Sequence, residues 1–310
     1  MENKVPGAQL RVWILTATIP TLLSVMGQNS WLTTLVAALV CATITSAVLS
    51  GKTKNFPRWL CVLEVVWLLF FLGGVAGFSA ACWKNAETPM AIPLILLLLA
   101  AFAAQKGPLH CARAGVALAW LVLPILGIVA LAGTTDIHVD WIRMNLEVPN
   151  GVLVGLLLLP CVEIFLPGET RKTRWVGILL CIVAVAGVLL TDSTMGTVTV
   201  HRARNAFYEF SKGITMFGVA ERFEALIACA LTAGWFVLFV LILSVIYKLS
   251  EKVFYPAGKW GVWGGAIIAA GLMCILPNDG WWMAIGALIF WGFLPVITQV
   301  IGCAKNIEKK

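Results

Sequence analysis

The residues best suited to chemistry are Pro160 and Glu163, three positions apart in the apolar stretch 149–167. Because proline has no backbone N–H, Pro160 leaves a carbonyl of the preceding turn without its helical partner, and inside a bilayer only protein, water or a ligand can satisfy it. A carboxylate near the centre of a span costs roughly 2.5 to 3.5 kcal/mol on insertion scales, and such residues usually face a ligand or a proton path. The pair therefore predicts a polar site within a membrane.

A simpler interpretation of this stretch is also open. The span would be short, Pro160 would be a tolerated kink, and the Glu163 side chain would extend to the headgroups near Pro167. The two interpretations differ in whether Glu163 faces the interior of the protein or the membrane surface.

A second proline has the same place in the first apolar stretch. Pro20 lies eight residues after Val12, as Pro160 lies eight residues after Val152. Interrupted segments in corresponding places of two halves are typical of transporters built from inverted repeats, which bind their substrate near the midplane. The residues of the predicted ligand site are Pro20, Thr21, Ser24, Pro160 and Glu163.

The composition places these stretches in a membrane. Hydrophobic residues make up 60% of the chain, charged residues 12%, and the mean hydropathy is +0.94, whereas a soluble domain carries about twice that charge. The net charge of +7 comes from basic residues scattered over short loops, which form no patch for nucleic acid. Nine cysteines, nearly all in apolar stretches and without a CxxC pair, are interpreted as packing residues.

Charged or Pro/Gly-containing loops divide the chain into ten predicted spans. Their bounds are 12–27, 31–50, 59–82, 90–105, 113–133, 151–166, 175–191, 222–247, 261–276 and 281–303. The predicted fold is an all-α polytopic membrane protein, a single domain over 1–310. One set of five spans covers 12–133 and the other covers 151–303.

The distribution of basic residues predicts the orientation. With the N-terminus inside, the inner segments hold 16 of the 22 Lys and Arg residues, which leaves six for the outer segments. Positive residues concentrate on cytoplasmic loops, so both termini are expected to be cytoplasmic.

The outer segment 192–221 is longer than the other loops. Its part 203–218 combines aromatic and charged residues in a pattern that favours a short amphipathic helix at the outer mouth. We expect this segment to act as a lid, and a solvated connector is the open alternative. Just after it, Glu221, Arg222 and Glu224 begin a long span and are expected to form either a structural ion pair or a gate that contacts a ligand.

Glu64 is the other isolated carboxylate within a predicted span. It lies about five residues, or roughly 7 Å, from the inner face, so its side chain can extend to the headgroups or face the interior. No HExxH, GxSxG, P-loop or GxGxxG motif occurs, and the three His fall in separate loops. We therefore expect no enzyme activity and no metal or cofactor site.

Three short motifs are similar to those of a known family. They are the segment 207–226 with its run Glu221-Arg222-Phe223-Glu224 and Trp235 beyond it, the segment 26–32 between the first two spans, and Phe56-Pro57 in the next inner loop. This pattern resembles the spore germination permeases, the B subunits of nutrient germinant receptors, over most of the chain. That family is similar to the amino acid–polyamine–organocation transporters.

The resemblance implies a LeuT-like fold of five-plus-five inverted repeats, with a small nutrient bound where spans 1 and 6 are broken. It also implies A-type and C-type receptor subunits as partners, in the spore inner membrane or the cell membrane. The first expected function is a germinant-sensing permease homologue that recognises an amino acid. An ion-coupled amino acid transporter of the same fold is the second, and a ten-span drug/metabolite exporter is disfavoured by the long segment 192–221.

Overall fold

The computed structural model describes residues 5–50, 56–83, 89–142, 146–166, 174–196, 199–200, 203, 205–213, 223–254, 257–277 and 280–299. The elements of this part are helical, and it contains no β-strand. Its α-helices are α1 Gly7–Val25, α2 Trp31–Ser50, α3 Arg58–Cys82, α4 Ala91–Ala104, α5 Pro108–Gly133, α6 Gly151–Leu158, α7 Arg174–Met195, α8 Ala206–Gly213, α9 Phe223–Val253, α10 Gly258–Ile275 and α11 Trp281–Ala287.

Four of these helices continue with a different pitch. Short 3-10 helices follow α1 (Met26–Gln28) and α5 (Thr134–Asp136), a longer 3-10 helix, Leu159–Phe165, follows α6, and a π-helical turn, Leu288–Phe293, follows α11. With these continuations, eight of the described helices are long and apolar enough to cross a membrane, while α4 and Gly151–Phe165 are shorter apolar helices. The prediction of an all-α, multi-pass membrane protein is confirmed at this level.

Aromatic residues mark several helix ends. Trp59, Trp175, Trp260 and Trp281 lie in the first turn of α3, α7, α10 and α11 and are all more than half exposed. Indole rings prefer the headgroup level, where one edge is apolar and the other can bind water. Large apolar side chains between these ends are also exposed, such as Leu39 on α2 and Ile182 on α7, as expected for surfaces that face lipid tails.

The centre of the bundle is α9. Every residue from Val237 to Ile246 is buried, so this helix has no polar or lipid-facing side over almost three turns. It packs against α1, α3, α4, α5 and α10. The charged residues that follow, Lys248 and Glu251, form an ion pair of 2.9 Å at its end.

Some helix contacts recur when each of α1–α5 is exchanged for the helix at the corresponding place among α6, α7, α9, α10 and α11. The contact of α1 with α5 is matched by that of α6 with α11, and the contact of α4 with α9 by that of α10 with α3. Helices at corresponding places also pack on each other, as α1 does with α6 and α2 with α7. The match is partial, because the extensive contact of α1 with α9 has no counterpart of similar extent between α6 and α3.

Cysteine labelling tests the predicted orientation at the two ends of α5. Lys106 and Thr135 are both exposed and are predicted to lie inside and outside. In a cysteine-free background, a membrane-impermeant thiol reagent added to intact cells is expected to label Thr135→Cys and not Lys106→Cys. Permeabilised cells should label both variants, which controls for local burial. Labelling of Lys106→Cys alone in intact cells would overturn the orientation.

Candidate functional site

The predicted site begins at the interruption of span 6. The helix α6 ends at Leu158, and the 3-10 helix that follows has Pro160 in its first turn. Proline fits there because its fixed φ suits the start of a helix and its missing N–H is not needed. Glu163 lies in this segment and is fully buried. The break expected at Pro160 is present, and the burial of Glu163 does not fit the interpretation in which its side chain reaches the headgroups.

Span 1 differs from the expectation. The helix α1 continues through Pro20 without a break. The hydroxyl groups of Thr21 and Ser24 donate to carbonyls one turn earlier in the same helix, at 2.8 and 3.0 Å. Both bonds are local to α1, and neither reaches the Thr16 carbonyl that Pro20 leaves without its helical partner. The predicted break at Pro20 is therefore absent, and both hydroxyl protons are used within α1.

Pro20 faces the central helix. A Cβ atom at Gly234 of α9 would overlap the Pro20 ring, so glycine is what allows these two helices to approach so closely. Pro20, Thr21 and Ser24 are buried. Because α1 packs against both α6 and the 3-10 segment, the structure brings the two halves of the predicted site into contact, with Pro20 on the side of α9.

A second buried carboxylate lies near Glu163. The thiol of Cys161 interacts electrostatically with both Glu64 and Glu163. Glu64, on α3, is fully buried, and its Oε1 accepts a hydrogen bond of 2.6 Å from the indole N–H of Trp291. The alternative in which Glu64 extends to the headgroups is thus wrong. Trp291 was not a sequence candidate, although its place ten residues inside span 10, away from the headgroup level, distinguishes it from the tryptophans at span ends.

The described partners of Glu224 come from α8. Tyr208 donates its hydroxyl to Glu224 Oε1 at 2.5 Å, and Lys212 Nζ lies 3.8 Å from the same oxygen. Lys212 also pairs with Glu209 at 3.0 Å. The other two members of the predicted cluster, Glu221 and Arg222, lie outside the described residues. Among the described residues, Glu224 links α9 to α8 through Tyr208 and Lys212. The predicted ion pair or gate of Glu221, Arg222 and Glu224 stays a prediction.

Burial raises the pKa of Tyr208 to about 12, and the hydrogen bond and charge of Glu224 add to the shift. The hydroxyl therefore stays protonated and donating over the physiological pH range. The Lys212 and Glu224 side chains are 36% and 43% exposed, so their ion pair contributes little to stability. The hydrogen bond from the Tyr208 hydroxyl to the Glu224 carboxylate is the stronger part of the link.

The variant Tyr208→Phe is expected to loosen α8 from α9 without unfolding the bundle. It keeps the ring and removes one hydrogen bond, which is worth about 0.5 to 1.5 kcal/mol. Limited proteolysis of the purified protein should show faster cleavage between α8 and α9 and an unchanged melting temperature. The control Lys212→Gln removes only the exposed charge and should behave like the wild type. Equal cleavage of all three proteins would contradict a structural role for the hydroxyl.

The amphipathic helix predicted for the outer segment is present as α8. Its Phe207 and Phe210 are buried, and a Cβ atom at Gly133 of α5 would overlap the Phe210 ring. The helix packs against α1, α7 and α9. The predicted start of the lid, at residue 192, is wrong, because α7 continues to Met195. Residues 214–222 lie outside the described part.

An apolar cavity of about 630 Å³ lies beneath α8. It is bounded by α1, α5, α7 and α8, through residues that include Ile19, Leu23, Leu126, Gly187 and Phe207. None of its described lining residues is ionisable, so it suits an apolar group. It is therefore separate from the carboxylates, even though Ile19 and Leu23 directly precede Pro20 and Ser24 on α1.

The fold and these carboxylates define a class: a multi-pass α-helical membrane protein with a buried polar centre between its spans. The described residues contain no group of three or more His, Cys, Asp or Glu that is placed to hold a metal ion. Comparison with the models of known protein families and with curated proteins finds no match.

Proposed function

We propose that this chain is a ten-span permease with two inverted five-helix repeats, of LeuT-like architecture, that binds a small nutrient as the sensing subunit of a germinant receptor. The main support is that several helix contacts recur between corresponding helices, as expected for a molecule built from two related halves. The interrupted span 6 further supports it, because broken helices at the repeat interface are where such proteins bind substrate.

The two short helices are compatible with ten spans. The segment Gly151–Phe165 extends about 26 Å, with eight α-helical residues and seven 3-10 residues, which is less than the roughly 30 Å of a hydrocarbon core. All residues of α6 are buried, so lipid thickness does not set the length of this segment. The helix α4 packs on α9 and α10.

The expected ligand is an amino acid. The buried Glu163 carboxylate and the carbonyls freed around Pro160 are acceptors, which suit the ammonium group of such a ligand. The hydroxyls of α1 are less suited to the carboxylate end, because they bond to their own helix. The receptor's A-type and C-type subunits are the proposed partners, in the spore inner membrane or the cell membrane, with both termini in the cytoplasm.

The proposal is tested by binding measurements on the purified protein in lipid nanodiscs over a panel of amino acids, with co-purification of A-type and C-type subunits as the second readout. Saturable binding of one or a few amino acids is expected. An absence of binding across the panel, together with an absence of partner subunits, would overturn it.

An ion-coupled amino acid transporter is the second candidate, favoured by the presence of two fully buried carboxyl groups, Glu64 and Glu163. Uptake by proteoliposomes distinguishes the two functions. A transporter accumulates labelled amino acid when a proton gradient is applied, whereas a sensor binds the ligand without accumulating it.

A further inference from the structure

The Glu64 carboxyl is enclosed and only half hydrogen-bonded. Its Oε1 accepts the Trp291 N–H at 2.6 Å, and its Oε2 is buried with no hydrogen-bond partner among the described residues. Buried polar atoms are usually paired, and an exception in a functional protein often marks a site where a proton, water or ion is exchanged. The residue itself has no exposed surface.

Aromatic rings pack around Trp291, the donor to this carboxyl. Trp67 and Phe71, on the same helix as Glu64, meet the Trp291 ring edge-on with ring centroids 6.0 and 4.8 Å away. Trp67 also stacks on Phe290 at 5.3 Å. These contacts hold the Trp291 ring in place. Because Glu64 has no exposed surface, an ionised carboxylate there would lose its hydration without gaining an equivalent partner.

The titratable groups on the neighbouring elements offer no compensating charge. On α3 itself the nearest is the thiol of Cys61, and from span 6 Cys161 and the carboxyl of Glu163 interact electrostatically with the same region. On α9, the Lys252 ammonium interacts with Cys61 and is exposed. The other ionisable residues of α9 are Glu224, which contacts Tyr208 and Lys212, the exposed Cys229, Tyr247 and the Lys248–Glu251 pair. Those of α10 are the exposed Lys259 and Cys274, and α4 and α11 have none.

We propose that Glu64 is a proton-binding site, with its carboxyl group and the Trp291 indole forming a proton-dependent contact between α3 and span 10. In the state described here the carboxyl is protonated and uncharged, because a buried charge without a cation is strongly disfavoured. Release of the proton to solvent leaves a carboxylate, which needs water or a new donor at Oε2 and so must open the aromatic enclosure.

The helix that bears Trp291 is suited to such a movement. Trp291 lies in the π-helical turn Leu288–Phe293, in which each N–H reaches one residue further back than in an α-helix. A π turn contains one residue more than the α-helix that it interrupts. Such turns are rare, and those that occur are frequently at functional sites. Its conversion to α-helix would rotate the indole away from Glu64. The π turn that bears Trp291 is therefore the part expected to move when Glu64 loses its proton, and this movement requires no bound nutrient.

Infrared spectroscopy of the purified protein in lipid tests the proposal without any ligand, so its result is independent of the proposed nutrient function. A protonated carboxyl has a C=O stretching band separate from the amide bands. Because Glu163 is also buried, the Glu64 contribution is the part of this band that is lost in Glu64→Gln. We expect that part to be present in the wild type, to disappear at alkaline pH, and to shift in D₂O. Glu251→Gln, which changes a carboxylate in an ion pair with Lys248, should leave it unchanged.

Trp291→Phe provides a second variant that keeps the carboxyl. Because a hydrogen bond to the carbonyl lowers its stretching frequency, this variant should retain the band at a higher frequency. A spectrum that is the same in Glu64→Gln and the wild type would overturn the proposal. A Glu64 band that neither changes with pH nor shifts in D₂O would also overturn it, since the proton would then not exchange.

Discussion

Replacement of Glu163 by Gln is expected to weaken binding of an amino acid by roughly 2 to 4 kcal/mol, a factor of about 30 to 700 in Kd. The carboxylate is fully buried in the interrupted part of span 6, and loss of one partner of a buried charge pair has this scale. Gln keeps the shape and the hydrogen-bonding capacity of Glu but removes the charge. The loss of affinity therefore measures the interaction of the Glu163 charge with the ligand ammonium. Equilibrium binding to the protein in nanodiscs is the measurement.

The matched control for this variant is Glu251→Gln. It makes the same chemical change in an ion pair with Lys248, at the end of α9, where a partly exposed pair contributes about 0 to 1 kcal/mol. Both variants should melt at nearly the wild-type temperature. A wild-type Kd for Glu163→Gln, in protein that melts normally, would end the interpretation of Glu163 as the ligand contact.

The sequence predicted the change of helix type in span 6 but not the continuity of span 1. Both stretches have a proline at the same place, yet α1 continues through Pro20 to Val25, whereas α6 ends at Leu158 and a 3-10 helix begins. The residues before the two prolines differ, since hydroxyl-bearing residues precede Pro20 and four leucines precede Pro160. A proline in an apolar stretch therefore does not by itself predict a break.

The sequence did not predict which way the Glu64 side chain points. The position of Glu64, about one turn inside the inner face, allowed either orientation, and the partner that decides it lies 227 residues away in Trp291. Pairings at that separation depend on how the two sets of helices dock, which periodicity does not encode. The apolar cavity beside α1 was likewise not predicted, because its lining residues are typical of any lipid-facing or buried helix.

The outer helix α8, in contrast to the direction of Glu64, was predicted from the local sequence. The pattern of residues 203–218 predicted an amphipathic helix, and α8 has Phe207 and Phe210 buried on one face and Lys212 exposed on the other. Local patterning was enough here because an eight-residue helix needs only one apolar face. The contact of Tyr208 with Glu224 was not predicted, because local patterning does not indicate which hydroxyl meets which carboxylate.

Substitution of Gly151 by Ala is expected to destabilise the protein by about 3 kcal/mol, the upper end of the usual cost of overpacking. Gly151 begins α6 at its contact with the start of α11. A Cβ atom there would overlap the backbone carbonyl of Gly280 and lie 2.9 Å from the backbone N of Ala284. Because these obstacles are backbone atoms, no rotamer change can relieve the overlap, and α6 must move away from α11.

Movement of α6 would also disturb the interrupted span, since the hydrogen bond from Asn150 N to Asn29 Oδ1, 2.7 Å long, ties this point to the end of span 1. Gly151→Ala should therefore lower both the melting temperature and ligand binding. The matched control is Gly264→Ala in α10, where a Cβ would have no atom within 4 Å and alanine favours the helix. A melting temperature for Gly151→Ala equal to that of Gly264→Ala would show that α6 and α11 are not in close backbone contact, and would remove one of the matched helix pairs that support the inverted repeat.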